Sequence, residues 1–386
     1  MDRDTLELAG VVIAILVGFG AVAAPSFKLG EWFGKRSADA KGAAALGETQ
    51  QRLAACTTEG ERLVAELAEI ERDRQAQERQ LVEAFSSNEK IWRRFDAIKP
   101  ANFDTMAARR KTKIITIGNL KGGVGKTTLT VNLAAYFART LERRVLVIDL
   151  DYQGSASNTL RRFVRQDETR SKVDALFSRD GRPEIFGNAV ESLEARLPRT
   201  SLIPSSHGFD DVENRAMIEW FAAGGNFDVR YHLARFFCDP EIADRYEVVL
   251  IDTPPRLTTG MINALCASTH LLVPTRLDVL SAEAVAPFLK SVETLIGDYN
   301  PTLKLAGVVG TMTRDVRIDG PSRDAISTLR DALNWFGNPA PLFEGILPTR
   351  TSIADAAGRE VAYVSDPQVR PIFDKIGSQL AERIQL

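Results

Sequence analysis

The fold of this chain is decided by residues 113–128, which read KIITIGNLKGGVGKTT. The β-branched run from Lys113 to Gly118 predicts a buried strand. A glycine-rich turn follows it, and helix-forming residues from Leu129 to Thr140 come directly after the turn. Strand, glycine-rich turn, Lys-Thr and helix in this order are the arrangement of a phosphate-binding P-loop.

Each residue type in this loop has a physical role. Glycines let the backbone pass close to phosphate oxygens with its N–H groups pointing inward, and the helix N-terminus adds a dipole that favours an anion. Lys126 is predicted to neutralise the β- and γ-phosphates, and Thr127 to give its hydroxyl to Mg²⁺. The ligands predicted from the loop are thus ATP and Mg²⁺. Its predicted nucleotide-binding residues are Lys121, Gly122, Gly123, Val124, Gly125, Lys126, Thr127 and Thr128.

Two further predicted strands run into acidic residues. Residues 144–154 read RVLVIDLDYQG, and residues 246–255 read YEVVLIDTPP. Ligands of open α/β sheets bind at the carboxyl ends of the strands, so we expect these acids beside the P-loop. A carboxylate there is suited to orienting a water molecule in line with the γ-phosphate.

The loop KGGVGKT resembles the deviant Walker A motif of the ParA/MinD family of dimerising ATPases. The family resemblance implies that Lys121 reaches across a nucleotide-sandwich dimer to the partner's phosphates. It also implies that Asp149 lies near Mg²⁺, that Asp151 positions or activates the attacking water, and that Asp252 holds Mg²⁺ through water. The segment DLDYQG departs from the family's usual DLDPQG, because Tyr152 stands where the family has proline.

The resemblance covers residues 113–386 and extends to the adenine end of the site. It implies that Thr311, Met312 and Pro348 contact adenine or ribose. Short apolar runs alternate with helical stretches throughout this part, which predicts an α/β fold: a mostly parallel, doubly wound P-loop sheet with helices on both faces. We predict one ATPase domain over residues 113–386.

The N-terminal residues 1–27 predict a transmembrane helix. Leu8 to Ala24 is a run of 17 uncharged residues, close to the roughly 20 that a bilayer helix needs. A signal peptide is the rival interpretation, but Asp2-Arg3-Asp4 is not a basic leader. Basic residues follow the helix more than they precede it, so the prediction is a single-pass protein of the bacterial inner membrane, in contact with lipid through residues 6–24, with its N-terminus outside and its ATPase domain cytoplasmic.

Residues 28–99 are predicted to form a juxtamembrane segment and a helical spacer. With Leu46 as the first a position, ten of fifteen a and d positions are apolar, counting Cys and Ala. This heptad pattern predicts a long helix and leaves open whether it forms a parallel coiled coil or packs back on its own ATPase domain. Pro100 ends the helix, so residues 100–112 are predicted to be a linker.

Composition excludes several classes of protein. The chain has 386 residues, is 44% hydrophobic and carries a formal net charge of −2. A disordered chain and a globally basic nucleic-acid binder are therefore excluded, and DNA binding through a local patch is not favoured. The three cysteines are far apart and predict neither a disulfide framework nor a zinc site.

These features together predict a membrane-anchored ParA-like ATPase that hydrolyses ATP slowly and uses an ATP-dependent homodimer as a switch to control a protein partner. A version in which the membrane helix is the effector, as in a defence system, is included in this hypothesis. Two alternatives remain open on the sequence. One is a bacterial tyrosine kinase of the polysaccharide-export type, although the C-terminal residues 377–386 contain no tyrosine. The other is a scaffold that binds nucleotide without hydrolysing it.

Overall fold

The computed structural model describes residues 58–60, 62–66, 69, 91–165, 170–313, 320–335, 342–349, 353, 356 and 358–386. The chain forms two compact units, Met1–Glu83 and Ala84–Leu386. The described residues of the first unit are helical. The predicted membrane helix at residues 6–24 and most of the predicted coiled coil lie outside the described residues. Within the described ranges, no helix is both long enough and apolar enough to cross a membrane.

The described part of the second unit is built on one sheet of eight strands. They are β1 (Lys113–Ile117), β2 (Val145–Asp149), β3 (Glu191–Ser192), β4 (Thr200–Ile203), β5 (Val248–Asp252), β6 (His270–Arg276), β7 (Lys304–Thr313) and β8 (Leu347–Pro348). Their order across the sheet is β3-β4-β2-β5-β1-β6-β7-β8. Among these strands only the pair β3–β4 is antiparallel, which confirms the prediction of a mostly parallel sheet.

Helices cover the sheet on both faces. They are α1 (Phe103–Arg109), α2 (Lys126–Arg139), α3 (Ser155–Val164), α4 (Pro183–Ala189), α5 (Phe209–Ala222), α6 (Pro240–Ala243), α7 (Thr259–Ala267), α8 (Val279–Glu283), α9 (Val285–Ile296), α10 (Gly320–Trp335), α11 (Ala362–Ser365) and α12 (Arg370–Arg383). Short 3₁₀ turns lie at Val173–Phe177, Val229–Tyr231 and Phe236–Cys238.

Alternate residues of the buried strands enter two separate hydrophobic cores. In β2, Leu146 and Ile148 belong to the core formed with α5, α7, α9 and α10, whereas Val145 and Val147 belong to the core formed with α2, α3 and α12. Successive side chains of a strand point to opposite faces, so a strand apolar at every position requires helices on both sides. The predicted doubly wound architecture is therefore confirmed.

The central strands end level with one another. Asp252, the last residue of β5, pairs with Ile117 of β1 on one side and with Asp149 of β2 on the other. Because all three strands are parallel, the P-loop and both acids leave the sheet at the same edge. This register positions the candidate site.

The compact unit begins earlier than residue 113, the start predicted for the ATPase domain. Ile91 and Trp92 are helical, the helical conformation ends there, before Pro100, and α1 forms inside the segment predicted to be a linker. Trp92 is 2% exposed and its ring stacks on that of Trp220 of α5. Hydrophobic burial therefore holds the end of the predicted spacer on the α/β unit.

Arg230 holds the segment from Trp92 to Asp96 in place through its buried guanidinium. Its guanidinium is completely buried and binds both carboxylate oxygens of Asp228, at 2.7 and 2.6 Å. Its remaining N–H groups donate to the backbone carbonyls of Trp92, Phe95 and Asp96 at 2.6, 3.2 and 3.0 Å. The arginine thus neutralises a buried carboxylate and satisfies three carbonyls that the segment turns inward.

We predict that Arg230→Met destabilises the unit by about 3–5 kcal/mol, because it leaves the Asp228 carboxylate buried without a counter-charge. Urea unfolding of the full chain, followed by tryptophan fluorescence, measures the change. The control is Arg93→Ala in the same segment, where a half-exposed ion pair with Asp298 is worth at most about 1 kcal/mol. Equal effects of the two substitutions would contradict the assigned role of Arg230.

Candidate nucleotide-binding site

The loop between β1 and α2 has the backbone shape of a phosphate cradle. Gly123 and Gly125 adopt φ values of +67° and +83°, a left-handed conformation that favours glycine. A Cβ atom at Gly122 or Gly123 would meet no atom within 4 Å, so the space over the loop is open. The 14-residue helix α2 begins at Lys126, and no side chain caps its N-terminus, which faces this space.

A cleft of about 450 Å³ lies over the loop, which is the size range of small-ligand sites. Its lining residues come from the P-loop, from both loops that carry the acids, from α3 and from the late segment before α12. They are Gly122–Thr128, Val131, Asn132, Asp151, Ser155, Asn158, Thr159, Arg162, Pro255, Met312, Ile353, Ala356, Gly358, Glu360 and Ala362. The structure thus places the predicted residues Gly122 to Thr128, Asp151 and Met312 around one cavity.

Lys126 is held at the floor of the cleft. Its side chain is buried, and Nζ donates to the carbonyl of Lys121 at 3.1 Å. Burial lowers the pKa of Lys126, and the negative charges of Asp252 and Asp151 act in the opposite direction. An ammonium group with few partners in a dry site is suited to binding an anion.

Thr127 and Asp252 form an oxygen pair beside the loop. The Thr127 hydroxyl donates to Oδ2 of Asp252 at 2.7 Å, and Thr130 donates to Oδ1 at 3.2 Å. Burial and the nearby Asp149 raise the pKa of Asp252 to about 8. A hydroxyl and a carboxylate are oxygen ligands that Mg²⁺ takes together with phosphate oxygens, so these residues fit the predicted ion.

Asp149 lies close to Asp252, since its negative charge contributes to the raised pKa of that carboxyl group. Its Oδ1 accepts from the backbone N–H of Asp151 at 3.0 Å, and its Oδ2 accepts from the N–H and hydroxyl of Ser157 at 2.8 and 2.7 Å. The side chain is fully buried, and like that of Asp252 it is not among the residues that line the cleft. Because both oxygens are engaged, Asp149 holds the loop and the start of α3 in place.

Asp151 does line the cleft, as the predicted role requires. Its Oδ1 accepts from the N–H of Gln153 at 3.0 Å, which closes the turn that follows β2. The carboxylate is 9% exposed. It is thus oriented by its own loop, on the cleft wall.

Lys121 points away from the cleft in this structure. Its Nζ donates to Oγ of Ser281 in α8 at 2.9 Å, and Ser281 donates in turn to the carboxylate of Asp278 at 2.8 Å. The lysine is therefore held within its own chain by a hydroxyl that a carboxylate polarises. No sequence motif pointed to this partner, which lies 160 residues further along the chain.

Of the three predicted adenine or ribose contacts, only Met312 lines the cleft. Thr311 is buried behind the P-loop, where its hydroxyl donates to the carbonyl of Val124 at 3.0 Å, and Pro348 is buried in β8. Met312 adopts φ +57° where the pairing of β7 with β8 shifts register. This bulge turns its side chain toward the cleft.

Sequence reasoning missed the polar residues that α3 contributes to the cleft. Asn158, Thr159 and Arg162 lie on one face of this helix. Arg162 also donates to the carbonyl of Gly358 at 2.9 Å. The sequence pattern that could have identified them is their helical spacing of i, i+1 and i+4, directly after the acidic loop.

Comparison with known proteins identifies the family. A family model described as an AAA domain matches residues 112–305. The chromosome-partitioning ATPase Soj of Thermus thermophilus is 34% identical over 248 residues, covering 64% of this chain and 86% of that protein. The structure of apo McdA from Cyanothece superposes with a TM-score of 0.56 at 21% identity, covering 70% of this chain and 99% of that one, which shows a shared fold.

One similar structure also carries ligands. Cobyrinic acid a,c-diamide synthase from Mycobacterium smegmatis, with bound ADP and magnesium, superposes with a TM-score of 0.50 at 26% identity, covering 64% of this chain and 91% of that one. Fold and site together define a P-loop nucleotide-binding domain. The chain belongs to the ParA/MinD family of P-loop ATPases. Members of this family are in general ATPases. The similarity to the synthase with bound ADP and magnesium supports binding of nucleotide and Mg²⁺.

A buried carboxylate supports the loop after β5. Glu213 of α5 is 3% exposed, and its Oε1 accepts from the backbone N–H of Gly260 at the start of α7. The Thr258 hydroxyl also bonds its carboxylate, and burial raises the pKa of Glu213 to about 7. The protonated form is therefore favoured by folding.

We predict that Glu213 makes stability fall as pH rises. Its ordinary pKa is 4.5, so between pH 4.5 and 7 the folded chain holds a proton that the unfolded chain has lost, a difference of about 3 kcal/mol. Glu213→Gln removes this dependence and keeps an acceptor for Gly260. Urea unfolding at pH 4 and at pH 8 tests the prediction, because other groups titrate alike in both proteins. A constant difference between variant and wild type would refute it.

Proposed function

We propose that this protein is a membrane-anchored ParA-like ATPase that hydrolyses ATP slowly and uses an ATP-dependent sandwich dimer as a switch to position or control a partner complex. The observation that carries the proposal is the convergence of Lys126, Thr127 and Asp151 on one cleft, with Asp252 hydrogen-bonded to Thr127. The name of the similar Soj, a chromosome-partitioning ATPase, supports a role in positioning over that of a tyrosine kinase.

In the proposed reaction, the P-loop backbone and Lys126 bind the phosphates of ATP. Thr127 and Asp252 would hold Mg²⁺, which neutralises charge on the phosphates when bound. Asp151, oriented by the Gln153 N–H, positions a water molecule on the cleft wall for attack on the γ-phosphate. Asp149 keeps the Asp151 loop in place through its bond to the Asp151 N–H.

The proposed switch concerns Lys121. Within one chain it is bonded to Ser281, so it does not reach the phosphates of its own cleft. Exchange of this bond for a contact with the nucleotide of a second copy would make dimerisation depend on ATP. Residues 6–24 would anchor the chain in a bilayer, where confinement to a plane raises the effective concentration of the domains.

We predict that the unit Ala84–Leu386 is a monomer with ADP and a dimer with ATP, most fully when Asp151→Ala blocks hydrolysis. Lys121→Ala is expected to prevent the dimer while nucleotide still binds, because Lys121 does not line its own cleft. Light scattering gives the mass in each state, and fluorescence titration with labelled ADP gives the affinity. If the unit binds nucleotide but its mass is the same with ADP and with ATP, the proposed switch is refuted.

We predict further that the full chain stays in the membrane fraction after carbonate extraction, because an apolar helix of about 20 residues inserts stably. A chain lacking residues 2–27 is expected in the soluble fraction with its nucleotide affinity unchanged. Cell fractionation with an antibody to the C-terminus measures both. Recovery of the full chain in the soluble fraction would refute the anchor and leave the ATPase assignment intact.

A further inference from the structure

Two loops flank the cleft where the γ-phosphate of ATP would lie. The first, after β2, contributes Asp151 to the cleft wall, and the second, after β5, contributes Pro255. The next residue of each loop, Tyr152 and Arg256, is not among the residues that line the cleft. These two outer side chains contact each other: the Arg256 guanidinium lies over the Tyr152 ring, 5.1 Å from its centroid. This distance is within the range of a cation–π interaction.

This pair joins the loop after β2 to the loop after β5. Among the described residues of these two loops, no other contact between side chains links them. The Tyr152 ring is half-buried and packs on the hydrophobic core, so its place is fixed. Arg256 is exposed, so its long side chain adopts this position without being confined by burial. The Tyr152 ring is therefore the fixed partner, and the Arg256 guanidinium binds to it.

The second loop is also held from the other end. Glu213 bonds the Gly260 N–H and the Thr258 hydroxyl, and the positive charge of Arg256 acts on this carboxylate. The loop from Thr253 to Thr258 is thus tied to α5 at one point and to Tyr152 at another. Pro255 lies between β5 and this second tie.

We infer that Tyr152 and Arg256 are a positioning pair that couples the two loops, so that Asp151 and Pro255 hold their places on the cleft wall as one unit. The inference rests on the proposed function, since its effect is on the hydrolysis step. It also gives a role to Tyr152, the residue that departs from the family's usual proline. Phosphate binding by the P-loop does not depend on the pair, so the effect falls on kcat and spares nucleotide affinity.

The test is a double-mutant cycle in the full chain with Tyr152→Leu, Arg256→Gln and the combination. ATP turnover gives kcat and KM, and titration with labelled ADP gives Kd. We expect each single substitution to lower kcat about tenfold, with the ADP Kd within about twofold, because small misplacements of a catalytic group have large effects on rate. The double variant is expected to be no slower than either single variant.

Two variants serve as controls. Tyr152→Phe keeps the ring and is expected to retain nearly wild-type kcat. Arg245→Gln removes a similar contact, 5.9 Å from the Tyr246 ring, at the amino end of β5, and is expected to change nothing. If Arg256 acted only through its charge on Glu213, then Tyr152→Leu would leave kcat unchanged, and that result overturns the inference. Additive losses in the double variant overturn it as well.

The same variants separate this inference from the proposed function. If the wild-type chain shows no ATP turnover, or if Asp151→Ala leaves the turnover unchanged, the proposed ATPase activity is refuted. Urea unfolding of the four proteins of the cycle then decides the pairing without any need for turnover. A coupling factor of about two to five in the unfolding constant supports the contact, and a factor near one overturns it.

Discussion

The carboxylate of Asp252 is the constraint on which the rest of the site depends. It ends the central strand β5, in register with Ile117 of β1 and Asp149 of β2, and it accepts the hydroxyls of Thr127 and Thr130 from α2. Its backbone therefore pairs with both neighbouring strands, while its buried side chain ties β5 to the P-loop helix. Any shift of β1 against β5 by one residue would break both hydroxyl contacts and turn every side chain of the strand to the other core.

This arrangement concentrates negative charge at a dry edge of the sheet. Asp149 and Asp252 are both fully buried, and burial raises the pKa of both, to about 6 and about 8. Lys126 is the nearby cation, and burial lowers its pKa. Each group is thus less favourably ionised than in water. A bound cation would favour the ionised form of the two acids, and a bound phosphate would favour the charged form of Lys126. The buried acids and the buried lysine are therefore arranged so that a bound cation and a bound phosphate would balance their charges.

The sequence predicted the parts of the site that depend on short contiguous segments. The P-loop, Asp151 and Asp252 follow from local motifs, because parallel strands bring their carboxyl ends together whatever the connections between them. Long-range contacts carried no such signal. The bonds of Asp149 to Ser157, of Thr311 to Val124 and of Lys121 to Ser281 depend on how helices and loops pack, so no local motif predicted them.

The attachment of the segment around Trp92 determines how residues 91–96 are held on the α/β unit. Trp92 stacks on Trp220 near the C-terminal end of α5, and the same helix holds the loop after β5 through Glu213 near its other end. A mechanical force applied to the chain at Ile91 therefore acts on a helix and not on a slack tether. Releasing the joint would expose the Arg230–Asp228 pair to water, so the connection resists tension until that pair is uncovered.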